Sequence, residues 1–165
     1  VRPVLLALNS LTQLEAPILA RTTAKGKFGE ADDIRRRFHL TLIALWLGTG
    51  LLAWAIITFI PGLIIKPSLS RTDIVTALAF FMAISLAQVW QTPNSAALQA
   101  ADQFKGLSKV SVVSCLFSIA GVIASLLLLP PVYSLVGITL GQWVMAVLTA
   151  RLTSRWRYAR PAHEL

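Results

Sequence analysis

Five long apolar stretches divide the chain, at residues 1–19, 38–60, 74–101, 110–129 and 132–150. Each approaches the roughly 20 mostly apolar residues that a helix needs to cross the hydrocarbon core of a bilayer. In lipid a spanning segment must satisfy its own backbone polar groups, so the pattern predicts helices rather than strands. The expected fold is all-α, a polytopic membrane helix bundle of about five transmembrane helices. Between the first two spans, Lys25-Gly26-Lys27-Phe28-Gly29 reads as a turn, and Glu30-Ala31-Asp32-Asp33 as the acidic first turn that a helix dipole favours. Residues 20–37 are therefore expected to form a basic, partly helical connector. Pro61-Gly62 ends the second span, Pro130-Pro131 forces a tight turn before Tyr133, and residues 151–165 form a basic tail with Trp156 and Tyr158 at headgroup depth.

The third span departs from the others. On a helix turning 100° per residue, Ser85, Gln88, Gln91, Thr92, Ser95, Gln99 and Asp102 all fall within about 60° of Gln88. Asn94 lies apart, toward the back. Uncompensated polar groups are costly in hydrocarbon, so this stripe must face other helices or water. Interhelical hydrogen bonding would explain the Ser and Thr residues. Three bulky glutamines exceed what close packing needs, and favour a hydrated wall that faces a substrate. Pro93 removes a donor and crowds the carbonyl of Val89, which predicts a kink there. The second span is uniformly apolar, with Trp46 and Trp54 along it, and is expected to face lipid over much of its surface.

The first span carries a smaller polar set, Asn9, Thr12 and Gln13 on one face and Glu15 beside them. Glu15 precedes Pro17 and sits about 9 Å from the cytoplasmic edge by the helical rise. An intramembrane carboxylate is a candidate for ion coupling or gating. Its alternative is a pair with Arg21.

Composition adds direction. The chain is 56% hydrophobic and 13% charged, which excludes an ordinary soluble domain. A net charge of +8 could suggest nucleic acid, but the cations sit elsewhere. Twelve of the fifteen, Arg21, Lys25, Lys27, Arg35, Arg36, Arg37, Lys105, Lys109, Arg151, Arg155, Arg157 and Arg160, fall on alternate connections. Arg2, Lys66 and Arg71 fall on the others. The positive-inside rule then puts the chain's start outside and its end in the cytoplasm. With Val rather than Met at residue 1, that start leads us to expect the C-terminal part of a longer protein. A signal-peptide reading of the first twenty residues fails on Asn9, Gln13 and Glu15 within the apolar run. Arg21, Arg35, Arg36 and Arg37 are candidates to meet anionic lipid headgroups, or the phosphate of a substrate at a pore mouth. Cys115 is expected to be a small buried apolar residue.

No phosphate loop, metal-binding pair or catalytic triad is spelled out, so neither an enzyme nor a cofactor is expected. One resemblance points to a function. Pro17-Ile18-Leu19-Ala20-Arg21, then Lys25-Gly26-Lys27 and the acidic-to-basic run ending at Arg37, resembles a stretch of polysaccharide (O-antigen type) flippases. Pro131-Val132-Tyr133-Ser134-Leu135-Val136-Gly137 through Gly141 resembles the turn before that family's final helices. The family belongs to the multidrug/oligosaccharidyl-lipid/polysaccharide exporter superfamily, typically with twelve or more helices in two bundled halves. The resemblance implies that the five spans are the last five helices, completed by an N-terminal half. It also implies a bacterial inner-membrane protein that flips an undecaprenyl-pyrophosphate-linked sugar repeat by alternating access, among membrane lipid. Members often carry cations in the cavity, and no span here has one at mid-membrane. Alternatives are a multidrug or cation antiporter of the same superfamily, and an enzyme or scaffold subunit of glycan assembly.

Overall fold

The computed structural model describes residues 2–59, 71–128 and 130–158. Of residues 2–9, 71, 131, 132 and 156–158 only the backbone is described, so the expectations for Asn9, Trp156 and Tyr158 lie outside the described side chains. The expectations for Pro61-Gly62 and for the external loop with Lys66 lie outside the described residues altogether. The order of elements is α1 (Arg2–Ala24), α2 (Phe28–Phe59), α3 (Arg71–Ala100), α4 (Phe104–Leu128), a 3-10 turn (Pro131–Ser134) and α5 (Leu135–Tyr158). Among the described residues there is no strand. Four helices are long and apolar enough to cross a bilayer, namely α2, α3, α4 and α5. At 23 residues α1 has the length of a span and carries the polar set noted above. The chain is an all-α, multi-pass membrane helix bundle.

The connector at 20–37 is shorter than its sequence suggests. Only residues 25–27 lie outside helix, because α1 runs on to Ala24 and α2 begins at Phe28. Gly26 takes a positive φ of 71°, Gly26 N–H bonds to Thr23 O at 3.0 Å, and Lys27 N–H to Thr22 O at 3.2 Å. This pairing closes a helix C-terminus by satisfying its last carbonyls. The α3–α4 turn repeats it with Asp102 at a φ of 58°, Asp102 N–H on Gln99 O and Gln103 N–H on Leu98 O. Aspartate tolerates the left-handed region better than most side chains, and the two corners match. Helix α3 continues through the fully buried Pro93 without interruption.

These tight corners put the ends of four helices together. Arg35 of α2 reaches Asn94 of α3, and Gly106 of α4 lies against Leu152 of α5, so the α5 C-terminus joins the same end. Arg21, Lys25, Lys27, Arg35, Arg36, Arg37, Lys105, Lys109, Arg151 and Arg155 therefore all gather at one end of the bundle.

Helix α3 is the shared element. Helices α1, α2 and α5 pack on it, α4 touches it lightly, and neither α1 nor α2 meets α4 or α5 among the described residues. Two three-helix groups thus share one helix. The first closes on Phe38, Leu42 and Val89, with Leu11, Ile43 and Trp46 against them. The second closes on small residues. Ser114 Oγ donates to Gly141 O at 2.5 Å, Ser118 Oγ to Gly137 O at 3.4 Å, and Ser111 Oγ lies 3.8 Å from Met145 Sδ. A Cβ added to Gly137 would run into the backbone of Gly121 and Val122. Apolar side chains gain nothing over lipid tails by meeting each other, so close backbone approach and interhelical hydrogen bonds hold such pairs.

The rest of α4 faces outward. Leu116, Phe117, Ile119 and Ile123 are exposed, and so is Cys115, contrary to its expected burial. The buried edge of α4 runs through Ser114 and Ser125, and Cys115 sits about 100° around the helix from Ser114.

Gly137→Leu separates α4 from α5, because the obstacle is backbone that no rotamer can clear. The expected loss is at least about 1–3 kcal/mol. Gly48→Leu is the control, since a Cβ there meets nothing within 4 Å. Thermal unfolding of the two variants in detergent should show a large fall for Gly137→Leu alone.

Candidate functional site

The α3 stripe is neither sealed nor open. Ser85 is buried, Gln88, Gln91, Thr92 and Ser95 are half-buried, and Gln99 and Asp102 are exposed at the cationic end. Ser85 belongs to packing. Its Oγ donates to Phe81 O and Met82 O, and it accepts from Trp46 Nε1 at 3.2 Å. Thr92 Oγ1 donates to Gln88 O at 2.7 Å, within its own helix. Gln91 is different, because its Oε1 is buried and no hydrogen bond reaches it.

The facing helices explain which part of the stripe is bound up. Measured around α3 from Gln88, the residues meeting α2 (Met82, Ser85, Trp90 and Asn94) span an arc on one side. Ala77, Phe81 and Ile84, which share an apolar cavity of about 360 Å³ with Leu135 of α5, lie within about 40° of Gln88. The glutamine stripe continues that α5-facing arc toward the cationic end. Thr12 and Gln13 of α1, with Ala16 and Pro17, line a separate shallow groove of about 480 Å³. Glu15 is half-buried beside it, and among the described residues neither Arg21 nor any other cation pairs with it.

The arginines divide. Arg35 points inward: its Nη2 and Nε contact Asp32 Oδ1 at 3.0 and 3.1 Å, and its Nη1 donates to Asn94 Oδ1 at 3.0 Å. Its side chain is only 19% exposed. Arg21, Arg36 and Arg37 are exposed at the same end and remain open to anionic groups. Asp32, Arg35, Arg36, His39 and Leu40 outline a small cavity of about 170 Å³. Among the described residues, no three of His, Cys, Asp and Glu come together to hold a metal ion.

Three residues escaped the sequence reading. Trp46, read only as one of two tryptophans along an apolar span, sends its Nε1 to Met82 O at 3.0 Å and packs against the first core. Asn94, placed at the back of the stripe, is buried, donates to Trp90 O and receives Arg35. With the His39 ring edge-on to Trp90 at 5.0 Å, these contacts zip α2 to α3 antiparallel. Positions 35, 39, 42 and 46 of α2 share a face at helical spacing, a signal hidden by the mixed chemistry of Arg, His, Leu and Trp. The third is Gln142 of α5, a lone amide in an apolar span whose Oε1 is also buried without a partner. The rule that polar intramembrane residues deserve a role would have found it.

Asn94→Leu leaves the half-buried Arg35 guanidinium against an apolar neighbour, at a cost on the order of 1–3 kcal/mol. Trp46→Phe removes a donor whose acceptors keep other partners, so about 1 kcal/mol is expected. Thermal unfolding should therefore rank Asn94→Leu below Trp46→Phe. The reverse order would mean that Asp32 and solvent alone hold Arg35.

Comparison with family models, with curated proteins and with solved structures finds no match to this chain.

Proposed function

We propose that this chain forms part of a transporter that flips a lipid-linked oligosaccharide across the bacterial inner membrane by alternating access, with its cationic end and C-terminus in the cytoplasm. The observation that carries the reading is the half-buried stripe on α3. Gln88, Gln91 and Ser95 sit on the helix shared by both three-helix groups, and the stripe ends at exposed Gln99 among the cations. Amides and hydroxyls in that setting can exchange hydrogen bonds with sugar hydroxyls without the desolvation cost of a charge. A site lined by carboxylates would suit a cationic drug instead, and on this stripe amides dominate.

The charge asymmetry supports the orientation. Ten described cations share one end, and cytoplasmic ends of membrane proteins collect Lys and Arg. Arg21, Arg36 and Arg37 are placed to draw the anionic carrier of a lipid-linked sugar toward the mouth. The sequence resemblance to O-antigen type flippases agrees with this division of labour, in which an N-terminal half of the same protein closes the cavity from the other side.

The test is a cell-based flipping assay on the full-length protein with Gln88, Gln91 and Gln99 each changed to leucine, and membrane abundance followed in parallel. Loss of surface glycan at normal abundance is expected for Gln88→Leu and Gln91→Leu, with a smaller effect for exposed Gln99→Leu. Normal export by all three would leave the stripe as helix packing and sink the transporter reading.

A further inference from the structure

Two amide oxygens stand out among the described residues, Gln91 Oε1 on α3 and Gln142 Oε1 on α5, both buried and both without a hydrogen-bond partner. Buried polar atoms are almost always satisfied, because an unmade bond costs the full desolvation of the group. A pair of exceptions on two packed helices therefore calls for a joint explanation, and the helix geometry supplies one.

Helices α3 and α5 run parallel, since α4 reverses the chain between them. Ile84 and Leu135 line the same apolar cavity, and the rings of Phe80 and Tyr133 meet edge-on just above it. Gln91 lies seven residues beyond Ile84, and Gln142 seven residues beyond Leu135. Seven residues are about two helical turns, which return each side chain to within about 20° of the same face and about 10.5 Å deeper. By helical register both glutamines therefore fall toward the α3–α5 seam, two turns nearer the cationic end than Ile84 and Leu135, which line one cavity.

We infer that Gln91 and Gln142 form a two-sided acceptor site for a hydroxyl-bearing ligand, with one amide oxygen from each helix taking a hydrogen bond from the same carbohydrate. The inference rests on the flippase reading for the identity of the ligand, and it extends the substrate wall from α3 alone to α5. Amide oxygens need donors, and neutral hydroxyl groups supply them with no charge to desolvate.

A ligand role and a packing role predict opposite signs. Gln142→Met keeps the length of the side chain and removes the orphaned oxygen. In the purified full-length protein without substrate it should melt at the same or a higher temperature, because an unsatisfied buried acceptor is gone. In cells, surface glycan export by the same variant should fall about three- to tenfold at normal abundance, the loss of one hydrogen bond. Gln142→Asn, with a shortened amide, should fall between Gln142→Met and the unaltered protein. A lower melting temperature with export reduced only in step with abundance would make Gln142 a packing residue and overturn the inference. Normal export by Gln142→Met would overturn it too, leaving the pair to a bound water. Gln88→Leu run beside it separates the levels: export lost there but intact in Gln142→Met removes this site and spares the flippase reading. Normal export in both removes the reading and the site together.

Discussion

Two seams of this bundle, α2–α3 and α4–α5, depend on hydrogen bonds from side chains to the backbone or side chains of the neighbouring helix. In lipid, leucine meeting leucine is no better than leucine meeting an acyl chain, so apolar contact alone assigns no partner. Trp46 Nε1 on Met82 O and Ser85 Oγ, with Arg35 on Asn94, select the α2–α3 pairing and its register. Ser114 on Gly141 O and Ser118 on Gly137 O do the same for α4–α5. The two seams use different chemistry because the helix separations differ. Glycines let α4 and α5 approach until a serine hydroxyl spans the gap, whereas α2 needs the reach of an indole or a guanidinium.

Sharing α3 between the two groups gives that helix a double task. One arc is consumed by α2, through Met82, Ser85, Trp90 and Asn94, and another begins against α5 at Phe81 and Ile84. Beyond Ser85, Gln88, Gln91, Ser95 and Gln99 continue the second arc toward the cations by helical register. A contact made of unsatisfied amides is a poor adhesive and a good place for a ligand or water, for the same reason that orphaned acceptors are costly. The exposed end at Gln99 and the cations around it place that seam at one mouth of the bundle.

The helical class, the placement of the long spans and the segregation of charge could all be read from residue order. Each follows from a constraint local to one segment: a backbone that must bond to itself in hydrocarbon, and a cation that stays out of it. The corners were legible in part. Gly26 announces the first, whereas Asp102 reads as part of the stripe, since a non-glycine residue gives little notice of a positive φ. Helix α3 runs unbroken past Pro93 to Ala100.

Sequence periodicity showed that Ser85, Gln88, Gln91, Thr92, Ser95 and Gln99 share a face, because a face is a property of one helix. It could not show that Ser85 is spent on Trp46, that Arg35 turns inward to Asn94, or that Cys115 is exposed. Nor could it show that Gln91 and Gln142 each bury an amide oxygen without a partner, since that depends on which helices lie beside them and at what depth. Such facts belong to pairs of helices. In a membrane, where hydrophobicity is satisfied on every side, only the few polar and small residues at the seams decide the pairs, and their partners exist once the bundle has formed.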